Sequence, residues 1–136
     1  MKNEIFNRTE TVVRPYQLKE KIKNIMWKYV GPIRDKGGLE KAIAELKSIQ
    51  SNDLPDLSLG YRQLKYNRER MEVAEVRLMI KTALLVANAA LQREESRGAH
   101  FRQDFPLQND EDWLKYSVAE KNKNGDAEIS FKAVRG

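Results

Sequence analysis

Residues 82–91 read TALLVANAAL, and this stretch decides how the rest of the chain is interpreted. It contains no charged residue, and a helix built from it is apolar on almost every side. Such a helix belongs at the centre of a fold, covered by its neighbours. A charged segment precedes it and Gly98 follows it, so the sequence predicts a long, central third helix over 65–96 that Gly98 stops.

A first helix is predicted to begin at Pro15, because proline is well suited to the first helical position. After Pro15, apolar residues recur at three- and four-residue steps as far as Ile33, which is typical of one helix face. Gly31-Pro32 should kink or break this helix, because proline removes a donor and clashes with the preceding turn. Gly37-Gly38 should end it.

The same apolar spacing from Leu39 to Ile49 predicts a second helix near 38–51. Turn-forming residues over 51–60, including Pro55 and Gly60, predict a loop between the second and third helices. Residues 99–112 have no helical period and are expected to form an ordered loop.

A β-hairpin is predicted at the C-terminus, with strands near 114–121 and 128–134. Apolar and polar residues alternate on both sides of Asn124-Gly125, which is a strong hairpin signal. The predicted fold class is therefore mainly α: a three-helix bundle with a small C-terminal β-hairpin. We expect residues 1–14 to form a flexible arm, 15–98 the helical bundle, and 99–136 the ordered loop and hairpin of the same domain.

Composition excludes several classes of site. The 136 residues include no cysteine and one histidine, so disulfides, thiolate nucleophiles, Cys-ligated zinc and two-histidine metal centres are ruled out. The glycines show neither the spacing of a dinucleotide-binding turn nor that of a phosphate-binding loop. We therefore assign no catalytic residue, no cofactor-binding residue and no metal ligand in this chain.

The net charge of +5 is mild, with 25 Lys and Arg against 20 Asp and Glu. It favours solubility over a dedicated polyanion-binding surface, and no motif that reads nucleic acid accompanies it. Nucleic acid is therefore not an expected partner, although an independent basic helical module, binding nucleic acid or an acidic protein, stays an alternative. Residues 73–91 carry charges, so no direct membrane insertion is expected.

A polar cluster surrounds His100, the histidine of the chain. Arg97, Arg102 and Asp104 lie within a few residues of it on a segment predicted to be a loop, where functional residues often lie. His100 is either a structural residue or part of a functional cluster. Arg97 is expected at the C-terminal end of the long helix, where its charge suits the helix dipole.

Acidic runs in the same region are expected to be solvated surface. Glu94-Glu95 and residues 110–112 could in principle act as acids, bases or magnesium ligands, but charge runs usually face water. Ser96 stands without an evident base in the sequence and is not assigned as a nucleophile.

The order of residues in this region is more specific than its composition. Residues 95–106 read ESRGAHFRQDFP, and 110–115 read DEDWLK. This sequence resembles the C-terminal region of the flavoprotein subunit of succinate dehydrogenase and fumarate reductase. Upstream, 25–34 (IMWKYVGPIR) and 38–42 (GLEKA) look like the first two helices of the same domain. The resemblance covers roughly residues 15–118.

Small departures from the family pattern occur at Gln103, Asn109 and Tyr116, where many relatives carry an acid, an Asp and a His. L-Aspartate oxidases share the Glu-Ser-Arg-Gly-x-His part but usually not the acidic-Trp-Leu-Lys part. They are the nearest alternative identity.

The resemblance implies a structural task for this chain. In that family FAD, the substrate-binding side chains and the proton-delivering arginine belong to regions upstream, and no position here matches those motifs. The chain is then the C-terminal domain of an FAD-dependent subunit acting on succinate or fumarate, inert alone. The implied partners are the flavin-binding domain and an iron–sulfur subunit. The implied location is the cytoplasm, or the inner face of the membrane through partner subunits.

We expect the 95–106 loop to face the flavin-binding domain, because a polar, Arg-rich loop without internal partners needs partners elsewhere. The expected interdomain contacts are Glu95, Ser96, Arg97, His100, Arg102, Asp104 and Trp113.

Overall fold

Three long helices and a C-terminal hairpin make up the part of the chain described by the computed structural model, residues 14–55 and 67–134. The mainly α prediction with a terminal β-hairpin is confirmed. The elements are α1 (Pro15–Tyr29), α2 (Lys36–Ser48), α3 (Asn67–Gln92), a short α4 (Asp110–Trp113), β1 (Lys115–Lys121) and β2 (Ala127–Ala133). The expected arm lies, except for Arg14, outside the described residues.

The core lies where α1, α2 and α3 pack together. Each helix buries apolar side chains spaced three or four residues apart, as an amphipathic helix does. The buried residues are Leu18, Ile22 and Ile25 from α1, Leu39, Ala42 and Leu46 from α2, and Val73, Val76, Ile80, Ala83, Ala87 and Ala90 from α3. Neighbouring helices cover the face of α3 that carries these residues, whereas Leu78 and Val86 on its outer face are exposed.

The break after α1 occurs at Gly31-Pro32, as predicted. The helix ends at Tyr29, and the Gly31 backbone approaches the Trp27 carbonyl so closely that a Cβ there would lie 2.6 Å from the oxygen. The prediction for Gly37-Gly38 is wrong: both glycines lie in the first turn of α2. That helix begins there because the Asp35 carboxylate accepts a hydrogen bond from the Gly38 amide at 2.6 Å.

α2 continues beyond Ser48 as a π-helical turn over Ile49–Asp53, so the loop predicted from residue 51 begins later. Ile49 is buried, and its apolar contacts explain why helical structure persists into residues that favour turns. Residues 56–60 of the predicted loop, and residues 65 and 66 of the predicted third helix, lie outside the described residues.

α3 ends at Gln92, not near Gly98 as the sequence predicted. Gly98 has a φ of +59° and makes the tight turn that pairs Arg97 with His100. The helix ends early because its last carbonyls find a side-chain partner from farther along the chain, as described below.

The hairpin is confirmed, with strand limits within one residue of those predicted. β1 and β2 pair in antiparallel register from Lys115 opposite Ala133 to Lys121 opposite Ala127, and Gly125 adopts a φ of +86° in the connection. Within the segment predicted as an ordered loop, Asn109 caps the short α4 by accepting a hydrogen bond from the Asp112 amide. None of the helices in the described ranges is long and apolar enough to cross a bilayer.

Gly31→Ala should destabilise the isolated chain by about 1–3 kcal/mol, because its Cβ would overlap a backbone oxygen that cannot easily move. Urea unfolding followed by circular dichroism measures the change. Gly37→Ala is the matched control: its Cβ would meet an ordinary contact at 3.7 Å, and alanine favours the helix by about 0.5–1 kcal/mol. Equal stability of the two variants would contradict the packing described for the break.

Candidate functional site

Arg102 lies at the centre of the 95–106 segment and is only 1% exposed. Its Nη1 donates hydrogen bonds to the carbonyls of Ala90 at 3.0 Å, Leu91 at 2.9 Å and Arg93 at 3.2 Å. The Ala90 and Leu91 carbonyls lie in the last turn of α3, where a helix leaves its carbonyls without partners, and the Arg93 carbonyl follows directly after it. Arg102 therefore caps α3, and the prediction that Arg97 lies at the helix end is wrong.

Asp104 completes the coordination of the Arg102 guanidinium. Its two oxygens accept from Nε at 2.8 Å and Nη2 at 2.6 Å, the bidentate geometry in which guanidinium binds carboxylate best. These bonds from Arg102 hold the pKa of Asp104 below its usual range. Asp104 also accepts from the Lys36 amide at 3.2 Å, so it connects the end of α3 to the start of α2.

Glu95 is fully buried, so the expectation that Glu94-Glu95 faces water is wrong for Glu95, whereas Glu94 is exposed as expected. Its carboxylate accepts from Arg97 Nε at 2.8 Å, from the Asn109 amide at 2.9 Å and from Arg93. Burial alone would raise the pKa of Glu95, but these three hydrogen bonds and the Arg97 charge outweigh it and lower the pKa. Glu95 is thus held as an anion inside the chain.

Arg97 lies between Glu95 and Asp110, whose Oδ1 accepts from Nη2 at 2.5 Å. The hydrogen bonds to Glu95 and Asp110 raise the pKa of the Arg97 guanidinium. The same contact with Arg97 lowers the pKa of Asp110. Arg97 therefore ties the segment to the start of α4.

Arg93 attaches the hairpin to the bundle. Its guanidinium donates to the Trp113 carbonyl at 3.0 Å and to the Lys115 carbonyl, and it lies 5.4 Å from the Trp113 ring centroid. The Trp113 ring in turn meets Phe131 of β2 edge to face at 4.8 Å. The half-buried Trp113 is therefore part of an internal contact.

Ser96 is buried and acts within the backbone of the segment. Its Oγ accepts from the Arg102 amide at 3.0 Å and donates to the Phe105 carbonyl at 2.7 Å. This pairing closes the turn between Arg102 and Phe105 and holds the backbone of Arg102 in place.

His100 is half-buried, and each nitrogen of its ring has a hydrogen-bond partner within the chain. Nδ1 lies 3.1 Å from Arg34 Nη1, and Nε2 lies 3.2 Å from the Arg93 carbonyl. A guanidinium only donates and a carbonyl only accepts, so Nδ1 accepts, Nε2 carries the proton, and the ring is neutral. Burial lowers the pKa of His100, and the charges of Arg34, Arg102 and Arg93 lower it further.

The premise that the 95–106 loop lacks internal partners is therefore wrong. Each residue expected to contact another domain has a partner within the chain, and Glu95, Ser96 and Arg102 are buried by it. Their role in an interdomain contact stays a prediction. Sequence reasoning missed Arg34 and Arg93, although Arg34 lies in the quoted 25–34 string and Arg93 lies two residues before the 95–106 string.

The arrangement is suited to holding backbone in place. Arginines and carboxylates are paired with each other and with carbonyls, and the histidine is held neutral. Within residues 14–55 and 67–134, no three or more acidic, histidine or cysteine side chains are grouped to hold a metal ion.

Arg102→Met should destabilise the chain by about 3–5 kcal/mol, because it leaves buried carbonyls and Asp104 without their partner. Arg102→Lys should recover only part of this loss, since an ammonium cannot replace the planar fork. Urea unfolding measures both variants. Arg70→Met, at an exposed position of α3, is the control and should change stability by less than about 0.5 kcal/mol. If the Arg102 variants matched this control, the capping role would be refuted.

Stability should fall on mild acidification because of His100. The pKa of His100 is lowered by folding, so the unfolded chain takes up the proton first, near its ordinary pKa of about 6.5. The contribution of neutral His100 is complete above that pH and is lost as the pH falls through the lowered pKa of the folded state.

His100→Gln removes this titration from a chain that has one histidine. Thermal melting between about pH 7 and about pH 5, the range in which histidine titrates, should show a falling midpoint for the natural chain and a flatter profile for the variant. Parallel profiles would show that His100 is not held neutral.

Comparison with known proteins assigns the chain to a family. The family model described as "Fumarate reductase flavoprotein C-term" matches residues 19–136. The fumarate reductase flavoprotein subunit of Helicobacter pylori is 35% identical over 104 residues, which cover 76% of this chain and 14% of that protein. The succinate dehydrogenase flavoprotein subunit of Rickettsia conorii is 29% identical over 118 residues, covering 87% of this chain and 20% of that protein.

A solved structure shows the same fold. The FrdA chain of Escherichia coli quinol fumarate reductase superposes with a TM-score of 0.75 at 19% identity, covering 90% of this chain and 21% of that chain. This chain thus spans between 14% and 21% of these relatives. The family match over most of the chain confirms the resemblance read in residues 95–106, and the chain belongs to the C-terminal domain family of the fumarate reductase and succinate dehydrogenase flavoprotein subunits.

Proposed function

We propose that this chain is the structural C-terminal domain of an FAD-dependent flavoprotein subunit that interconverts succinate and fumarate. The single observation that carries the proposal is the family match over residues 19–136. Relatives named fumarate reductase and succinate dehydrogenase flavoprotein subunits support it. They do not favour the alternatives of an L-aspartate oxidase domain or an independent basic binding module.

FAD is assigned to the rest of the subunit, because the described residues do not fit it. A flavin's pyrophosphate is usually held between a parallel strand and the start of the following helix. The strands of the described residues form a two-stranded antiparallel hairpin at the other end of the chain from α1. No step of the redox reaction is therefore assigned to a residue of this chain.

The internal network supports a task of mechanical support. Arg102 and Asp104 hold the end of α3 to the start of α2, and Arg93 holds the hairpin to the end of α3. We infer that 15–98 and 99–134 fold as one domain for this reason. A domain with a fixed internal geometry can hold the segments that precede it in one orientation.

The partners follow from the same proposal. The flavin-binding domain of the same subunit is the immediate partner, and an iron–sulfur subunit completes the electron path. The assembly is placed in the cytoplasm or on the inner face of the membrane through its partner subunits.

An antibody raised against the 136-residue chain should capture, from source cells, a polypeptide several times longer that carries bound flavin and reduces fumarate or oxidises succinate. The purified 136-residue chain should show no flavin absorbance. Capture of a 15.8 kDa protein without flavin and without a flavin-containing partner would refute the proposal.

Two assays, one on the captured material and one on the isolated chain, separate the alternatives. Oxidation of L-aspartate, in place of succinate, would identify the domain of an L-aspartate oxidase. Tight binding of the isolated chain to duplex DNA, weakening steeply with salt, would support the basic binding module.

A further inference from the structure

The connection between α1 and α2 pairs with the 95–106 segment as a short parallel bridge. The Arg34 amide donates to the Phe101 carbonyl at 3.0 Å, and the Gln103 amide donates to the Arg34 carbonyl at 2.6 Å. These two bonds place the backbone of Ile33 and Arg34 directly beside that of Phe101 and Arg102.

The two sides of this bridge have opposite chemistry. On the inner side, Arg102 is buried at the end of α3, and Arg34 bonds to His100. On the outer side, Ile33 is 65% exposed and Phe101 is 39% exposed. Two large apolar side chains are thus exposed on neighbouring stretches of backbone that hydrogen bonds hold in place. We call this pair, with the exposed Gln103 beside it, the Ile33–Phe101 face.

This face has the properties of a docking surface. Exposed apolar side chains gain free energy when a partner removes them from water, in proportion to the apolar area covered. The backbone beneath them is fixed by two main-chain hydrogen bonds and by the buried Arg102, so little conformational freedom is lost when a partner covers the face.

The size of the face points to a tethered partner. Its apolar area is on the order of 200 Å², far below the about 800 Å² per partner that a stable free complex needs. A second copy of this chain would not be held by it alone. A domain joined through the same polypeptide needs far less area, because the linkage keeps its effective concentration high.

We propose that the Ile33–Phe101 face is the surface on which the flavin-binding part of the same subunit docks. The inference rests on the proposed function, in which most of the subunit's length lies outside this chain, as it does in the relatives. In this proposal the exposed apolar pair makes the interdomain contact, in place of the polar side chains of the 95–106 segment. The polar side chains position that pair from within.

Thiol labelling tests the proposal, because the chain contains no cysteine. Phe101→Cys is the test variant, and Leu78→Cys is the control. Leu78 is 65% exposed on α3. It lies fourteen residues before the end of that helix at Gln92, or about 21 Å along its axis. In the isolated chain both thiols should react with N-ethylmaleimide at similar rates.

In the complete, flavin-loaded subunit, the Phe101→Cys thiol should react about tenfold more slowly than in the isolated chain, because a covered site reacts only when the interface opens. The Leu78→Cys thiol should react at an unchanged rate. Mass spectrometry of the labelled peptides separates these thiols from the subunit's own cysteines. If Phe101→Cys lowers the melting temperature of the isolated chain, Ile33→Cys takes its place.

The outcomes are distinguishable. If the Phe101→Cys thiol reacts equally fast in the isolated chain and in the flavin-loaded subunit, the Ile33–Phe101 face is not the docking surface, and the proposed function is unaffected. A complete polypeptide without flavin refutes the proposed function itself, and this inference with it. Protection that appears in the isolated chain and grows with its concentration shows that the face binds a second copy, which also overturns the proposal.

Discussion

A buried guanidinium determines how the C-terminal half of this domain is arranged. Removing a charge from water is costly unless it is paired and fully hydrogen-bonded. Arg102 is paired in this way: the Asp104 carboxylate accepts from Nε and Nη2, and carbonyls at the end of α3 accept from Nη1. The carbonyls in turn need a donor because the helix itself cannot supply one. The end of α3 and the course of the 95–106 segment follow from this one side chain, and Asp104 extends the network to the start of α2.

The polar and charged side chains described here differ in how much they contribute to stability, and two groups illustrate the difference. Pairs such as Lys19 with Glu75 lie partly in solvent on the helices and contribute little to stability. The cluster around Arg102 and Glu95 is buried, so each member depends on the others and the loss of one leaves a partner unsatisfied. His100 belongs to the second group, and its neutrality avoids adding another positive charge beside three arginines.

The spacing of apolar residues predicts those elements whose position depends only on which residues of the same segment are buried. The apolar spacing in α1, α2 and α3 and the Asn124-Gly125 turn led to the correct elements, because those signals are local. The end of α3 could not be predicted locally, because its cap comes from Arg102, ten residues beyond the last helical residue. Gly37-Gly38 was ambiguous for a similar reason: glycine ends many helices, but here Asp35 starts one.

The order of residues in the 95–106 string correctly indicated the family, but the polar composition of the string gave a wrong prediction of how the loop is oriented. Its polar residues suggested an outward-facing loop, whereas Glu95, Ser96 and Arg102 face inward because each bonds backbone of this chain.

The capping role of Arg102 is tested most directly by proton exchange at its guanidinium, followed by nuclear magnetic resonance in the natural chain. A guanidinium with fixed partners shielded from water should give separate, slowly exchanging Nε and Nη signals, while the exposed Arg70 exchanges rapidly. Exchange at Arg102 as fast as at Arg70 would show that the end of α3 is held by something else, and would contradict the account.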